Sequence, residues 1–332
     1  MAGEGLEDAS STALVPFSLS SAFTDPLRLP ERIITLGATT FRIEQAWEAD
    51  GRGGTDLGFG ASVYPAAIVL AAFLVGLGPR VLGGVRVVEL GCGVGLSALV
   101  ASAAGAGCVV ATDGDDKAVG LCGRNAGRND AAVRATRRAL GVDEAPAVSC
   151  RRLLWGDPDA TAEVAGAGVS VIIGADIAAC PYAEALEDLA GTIEALLGAR
   201  GAGDEAEATA AGPGEAAAEG EEAAAEGEAG PSGGGAAKRG EAARVPLGAA
   251  SAVSRLVGSA RRAGAGAGAA CMVLAYKRRG GVEEAGFFAS LGRRGVRVVA
   301  RAADAELHPD FRASDGQSGL PGERVQLLVL SA

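Results

Sequence analysis

The stretch from 85 to 113 constrains this chain more than any other. It reads VRVVEL, then Gly91-Cys92-Gly93-Val94-Gly95, then LSALVASAAGA, then CVVATD. Short β-branched runs bounded by turn residues read as buried strands, and the Ala- and Leu-rich run between them reads as a helix over 96–106. Strand, tight turn, helix and strand make a parallel βαβ unit, with its crossover packed on one face of the sheet. Glycines in such a turn accept positive φ and let the backbone approach a ligand closely. The helix that follows presents free amides at its N-terminus. Two acids flank the turn: Glu89, two residues before the first glycine, and Asp113, which ends the second strand. A carboxylate at the end of that second strand can accept hydrogen bonds from both hydroxyls of a ribose.

The rest of the chain continues the alternation. Residues 31–45 read as a short strand or hairpin, and 64–78 as a buried helix opened by Pro65 and stopped by Gly76, Gly78 and Pro79. A helix is expected over 115–129, a third strand over 147–156 and a fourth over 169–176. An amphipathic helix over 181–197 and a fifth strand over 270–279 follow, then a helix over 282–293. Runs at 296–302 and 325–332 close the pattern as two strands with no helix between them. Repeated β-α units imply a doubly wound parallel sheet with helices on both faces. The last pair requires one strand to run antiparallel at the edge. The expected fold is therefore α/β: a doubly wound seven-stranded sheet, mostly parallel, with one antiparallel edge strand. Residues 1–30 read as a disordered tail, and 31–332 as one domain interrupted at 200–246. That interruption is Ala, Gly and Glu with little to bury, the composition of a disordered insertion.

Charge points the same way. The net charge of −11 comes from 30 basic and 41 acidic residues, and nine of the acids lie in 204–228 without a Lys or Arg among them. Without that segment the balance is −2, so the acidity belongs to the insertion. No basic surplus is present to displace counterions from a polyanion, which argues against a nucleic-acid partner. His308 is the single histidine, which excludes a multi-histidine metal site. The six cysteines show neither a CxxC pair nor a zinc spacing, as befits a reducing compartment. No basic segment precedes an apolar stretch at the N-terminus, and the run from Pro65 to Leu77 falls short of a bilayer. A cytoplasmic protein without a membrane partner is the expectation.

The glycine spacing separates two ligand classes. A dinucleotide turn wants G-x-G-x-x-G, whereas here the third glycine comes one residue early. Glu89 is compatible with a cationic ligand and unfavourable beside a diphosphate. The E-x-G-x-G-x-G form resembles the S-adenosylmethionine (SAM) turn of class I methyltransferases. The resemblance widens through FRIEQ (41–45), Tyr64-Pro65-Ala66-Ala67, VVELGCGVGL (87–96), ATD (111–113), Asn125 with Asn129, LLWGD (153–157), GADI (174–177) and LAYKRR (274–279). In that order these segments look like the seven-β-strand protein-lysine methyltransferases.

The resemblance implies SAM as cofactor and a protein side chain, lysine foremost, as methyl acceptor. It implies that Gly91, Gly93 and Gly95 line the methionine part of SAM with Glu89 beneath, and that Asp113 holds the ribose. Trp155 would lie against the adenine, Ala175 along the cofactor, and Tyr64 near its amino-acid end. For Trp155 and Tyr64, plain packing roles stay open, and the two asparagines may be no more than a cap or a solvent face. At the end of strand four the family pattern is Asp-x-x-Tyr. Here Asp176 is present, position 179 is Ala, and the nearest aromatic is Tyr182. Asp176 and Tyr182 are thus the candidate acceptor-site residues. The departure leaves open an acceptor other than lysine, or a non-catalytic interaction module retaining the fold.

Overall fold

A computed structural model describes residues 25–48, 57–143, 148–166, 168–198, 247–262, 270–279, 281–302 and 325–332. The 200–246 insertion, His308 and residues 1–24 of the expected tail lie outside them. The first elements are β1 (Glu31–Leu36), β2 (Thr39–Glu44) and α1 (Pro65–Leu82), followed by β3 (Arg86–Leu90), α2 (Leu96–Ala103), β4 (Cys108–Asp113) and α3 (Asp116–Ala139). Then come β5 (Ser149–Arg152), α4 (Pro158–Ala165), β6 (Val171–Ala175), α5 (Ala183–Gly198) and α6 (Leu247–Arg262). The last are β7 (Cys271–Lys277), α7 (Val282–Arg293), β8 (Arg297–Arg301) and β9 (Val325–Ser331).

The main sheet has seven strands in the order β5-β4-β3-β6-β7-β9-β8. From β5 to β7 every neighbour pair is parallel, and β9 runs antiparallel to both β7 and β8. Counted within this sheet the order is 3-2-1-4-5-7-6, the Rossmann order with a reversed strand slotted in one place from the edge. The expected antiparallel strand is thus present at this side of the sheet: it is β9, paired between β7 and the edge strand β8. β1 and β2 form a separate antiparallel hairpin.

Helices cover both faces. Along β3, Val87 packs into the layer with α1, α2 and α6, while Val88 and Leu90 pack into the layer with α5 and α7. Burial on both sides explains why these strands read as continuous apolar runs rather than alternating ones. The α1 helix outlasts its expected stop: it kinks at Gly78, whose φ is 54°, and resumes to Leu82. By length and composition α1 could cross a membrane, but its Leu70, Phe73 and Leu74 are buried in the core. The α3 helix also runs ten residues past expectation, to Ala139, because Val133 and Arg137 continue its buried face. Arg137 donates to the carbonyls of Ser102, Ala106 and Asp143, satisfying the end of α2.

Two buried asparagines dock the hairpin. Asn129 accepts from Arg42 N and donates to Arg42 O, both at 2.9 Å. Asn125 repeats this at Glu44 with bonds of 2.8 and 3.0 Å. Each carboxamide imitates a peptide group, so α3 supplies the rungs that a neighbouring strand would give to β2. This resolves their open reading: they neither cap the helix nor face solvent. Gln45 ties down residues 25–30 in the same manner, donating to Pro26 O and Leu29 O and accepting from Val63 N.

Candidate functional site

In an open α/β sheet, ligands bind beyond the strand C-termini where the strand order reverses. Here that point lies between β3 and β6. The glycine turn follows β3, Asp113 ends β4, Ala175 ends β6, and Asp176 follows it.

Gly91, Gly93 and Gly95 have φ of 66°, 49° and 84°. Each is needed for closeness as well as for conformation. A Cβ on Gly91 would meet Ile177 Cγ2 at 2.6 Å, one on Gly93 the backbone of Gly60 at 3.3 Å, and one on Gly95 Cys122 Sγ at 2.5 Å. The glycines therefore let three neighbours close on the turn: the segment after β6, the 58–61 turn and α3. Asn125 binds the turn itself through Val94 O at 2.9 Å.

Asp113 reaches across to the turn. One oxygen accepts from Gly93 N at 3.0 Å and the other from Asp115 N at 3.1 Å. A carboxylate has about four acceptor positions, so roughly two remain for a ligand's hydroxyls. Burial pushes its pKa up, opposed by those amide hydrogen bonds. Glu89 is only 2% exposed and accepts from Ala98 N at 2.9 Å. Burial pushes this carboxyl up to about 8. It supports the turn from below, through the first turn of α2. The Ser97 hydroxyl lies beside the same carboxylate, lowering its pKa, yet is buried without a hydrogen-bond partner of good geometry.

Trp155 lies past the end of β5, half-buried, with its ring 3.6 Å from the position of a Gly91 Cβ. Ala175 is partly buried at the strand end. Tyr64 precedes α1; burial first, and Asp176 second, push its phenol up. Asp176 and Tyr64 are thus close enough to feel each other.

Asp176 is the single non-glycine residue with positive φ, 59°, among the described residues. Backbone strain of this kind concentrates at functional sites. Its side chain is 10% exposed and held by the fork of Arg279, at 3.0 and 3.1 Å, and by Lys277 N at 2.9 Å. That leaves about one acceptor position on Oδ2. Hydrogen bonding to Asp176 in turn raises the Arg279 pKa. The partner of Arg279 lies 103 residues away in sequence, beyond any local pattern. Tyr182 stands 68% exposed just before α5. The structure does not bury its ring beside Asp176, and Ala179 ends a short 3-10 turn between them.

The donor set fits SAM. A narrow turn with free helix amides suits the amino-acid end, Asp113 keeps open acceptor positions at the ribose level, and half-buried Trp155 offers an apolar face. The strand order, the turn and its two acids define a class I, SAM-dependent methyltransferase. Residues 50–202 match the family described as lysine methyltransferase.

Among solved structures, a TehB-like SAM-dependent methyltransferase from Corynebacterium glutamicum is similar at 12% identity, covering 82% of this chain and 89% of that one, with a TM-score of 0.40. A ribosomal protein L11 methylase from Lactobacillus delbrueckii subsp. bulgaricus gives 14% identity, coverages of 90% and 98%, and 0.41. A tRNA (uracil-54, C5)-methyltransferase from Pyrococcus abyssi, in complex with S-adenosyl-L-homocysteine, gives 12% identity, coverages of 92% and 45%, and 0.40. The strand order, rather than these scores, carries the fold. No curated protein matches the sequence significantly.

Proposed function

We propose that this methyltransferase modifies a protein side-chain amine, lysine foremost, in the cytoplasm. The family match over 50–202 supports the substrate class. The observation that carries the acceptor site is Asp176, a strained and largely buried carboxylate beside the cofactor turn with one acceptor position left open.

SAM supplies the methyl group on a sulfonium that is itself the leaving group. The protein's task is alignment and charge control rather than general-base chemistry. Asp113 holds the ribose hydroxyls and the glycine turn lines the amino-acid end. Trp155 covers the adenine, and Ala175 lets the cofactor lie against the end of β6. Asp176 accepts one N–H of the acceptor amine and so aims its lone pair. Because Arg279 already neutralises Asp176, the carboxylate can orient a neutral amine without strongly favouring the ammonium, which has no lone pair to attack with. Tyr64 borders this point from α1, and Tyr182 meets the substrate protein at the rim.

Ala179 and the exposed Tyr182 favour a second reading, an acceptor other than lysine. The two separate on incubation of the chain with methyl-labelled SAM and cell lysate, followed by acid hydrolysis. Label in N-methyl-lysine is expected. Label in another amino acid, in RNA or in a small molecule, with S-adenosylhomocysteine (SAH) binding intact, refutes the lysine assignment and keeps the methyltransferase.

A further inference from the structure

Three of the six cysteines meet beneath the last glycine of the turn. Cys122 on α3 and Cys150 on β5 bring their sulfurs to 3.3 Å. Cys92, inside the turn, is within hydrogen-bonding range of Cys122. The turn rests on this group, since a Gly95 Cβ would lie 2.5 Å from Cys122 Sγ. All six thiols are free, Cys122 buried and Cys150 partly accessible. Methyl transfer uses none of them.

We propose that Cys122 and Cys150 are an oxidisable dithiol whose closure to a disulfide displaces the cofactor turn. The oxidant is a hydroperoxide. The more accessible Cys150 sulfur attacks the peroxide, an S–O bond forms, the O–O bond breaks and water leaves when hydrogen peroxide is the oxidant. The Cys122 sulfur then attacks the Cys150 sulfenic acid, an S–S bond forms, and a second water leaves with the Cys122 proton. The two sulfurs together lose two electrons, and the peroxide gains them. A disulfide holds its sulfurs about 2.05 Å apart, so closure draws α3 and β5 together by roughly 1 Å. The α3 helix carries both the sulfur under Gly95 and the Asn125 carboxamide on Val94, so the turn moves with it. The mutual hydrogen bond and burial raise the Cys150 thiol; the same bond lowers that of Cys122, but Cys92, burial and the nearby Glu89 outweigh it and raise it overall. Both stay protonated near neutrality, which makes closure slow and responsive to sustained rather than brief oxidation.

The test uses the full reduced chain, treated for hours with hydrogen peroxide, quenched and digested without reduction. Loss of two hydrogens, a peptide pair joining Cys122 to Cys150 and reversal by dithiothreitol are expected. In the oxidised form, amide hydrogen exchange over 91–99 is expected to accelerate and SAH affinity to fall by about threefold or more. Cys150→Ser abolishes all of these changes; if that variant misfolds, the wild-type peptide map and exchange data decide alone. Added oxygens without a cross-link, a cross-link through Cys92, or a Cys122–Cys150 bond with unchanged turn exchange each overturn the proposal. If SAH binds neither form, the cofactor reading falls, while mass and exchange still decide this one.

Discussion

On the β3–β4 side of the switch point the site is made from backbone. Three positive-φ glycines and amide bonds to Asp113 and Glu89 set its shape. On the β6–β7 side it is made from side chains. Asp176 sits in a strained conformation inside an ion pair with Arg279, and Tyr182 stands in solvent. The first side is rigid by steric necessity. The second is held by one charged pair whose arginine is 44% exposed.

The sharpest test of the backbone-built side is electrostatic. Glu89, raised to about 8 in the folded chain from an ordinary value of 4.5, stays protonated where the unfolded chain is ionised. The folded state then binds more protons, so stability falls as pH rises across that interval and levels off above the folded value. Urea unfolding of Glu89→Gln should lose this slope, with a gain near pH 8 of up to roughly 5 kcal/mol. An unchanged slope would remove Glu89 from the account. Next comes Gly95→Ala, whose Cβ meets Cys122 at 2.5 Å with φ at 84°. Strain and overpacking together predict a loss of about 2–5 kcal/mol by thermal melt. Asp113→Ala should weaken SAH binding by about 1–3 kcal/mol in calorimetry; equal affinity in the variant contradicts the ribose assignment.

The side-chain-built half should respond differently. Asp176→Ala is expected to leave SAH affinity within about threefold while turnover drops, at a stability cost of about 1–3 kcal/mol, because the carboxylate is 10% exposed and accepts three hydrogen bonds. If SAH affinity collapses instead, the two halves are not separable. Tyr182→Ala is the smallest change: less than about 0.5 kcal/mol in stability, with any effect confined to KM for the protein substrate.

The same division explains what could be read from the sequence. The turn was legible because each glycine answers to a local steric demand, and the strands because burial on both faces makes them continuously apolar. The α7 helix was legible from end to end for a similar reason: its periodicity and flanking glycines are local. Asn125 and Asn129 were visible as a pair, yet their task depends on β2, more than 80 residues earlier. Arg279 with Asp176, and Cys122 with Cys150, are likewise products of topology, which no short window of sequence contains. The slot taken by β9 was hidden as well, because a run of apolar residues does not say which neighbours it will pair with.

That slot has a kinetic side. β9 is the only strand joining β8 to the rest of the sheet among the described residues, and it covers the outer edge of β7. Until residues 325–331 leave the ribosome, β7 presents an open edge and β8 has no partner. Unpaired edges of this kind invite association between chains. A chain truncated before residue 325 already carries the whole cofactor turn but leaves the β7 edge open, and it is expected to associate with copies of itself.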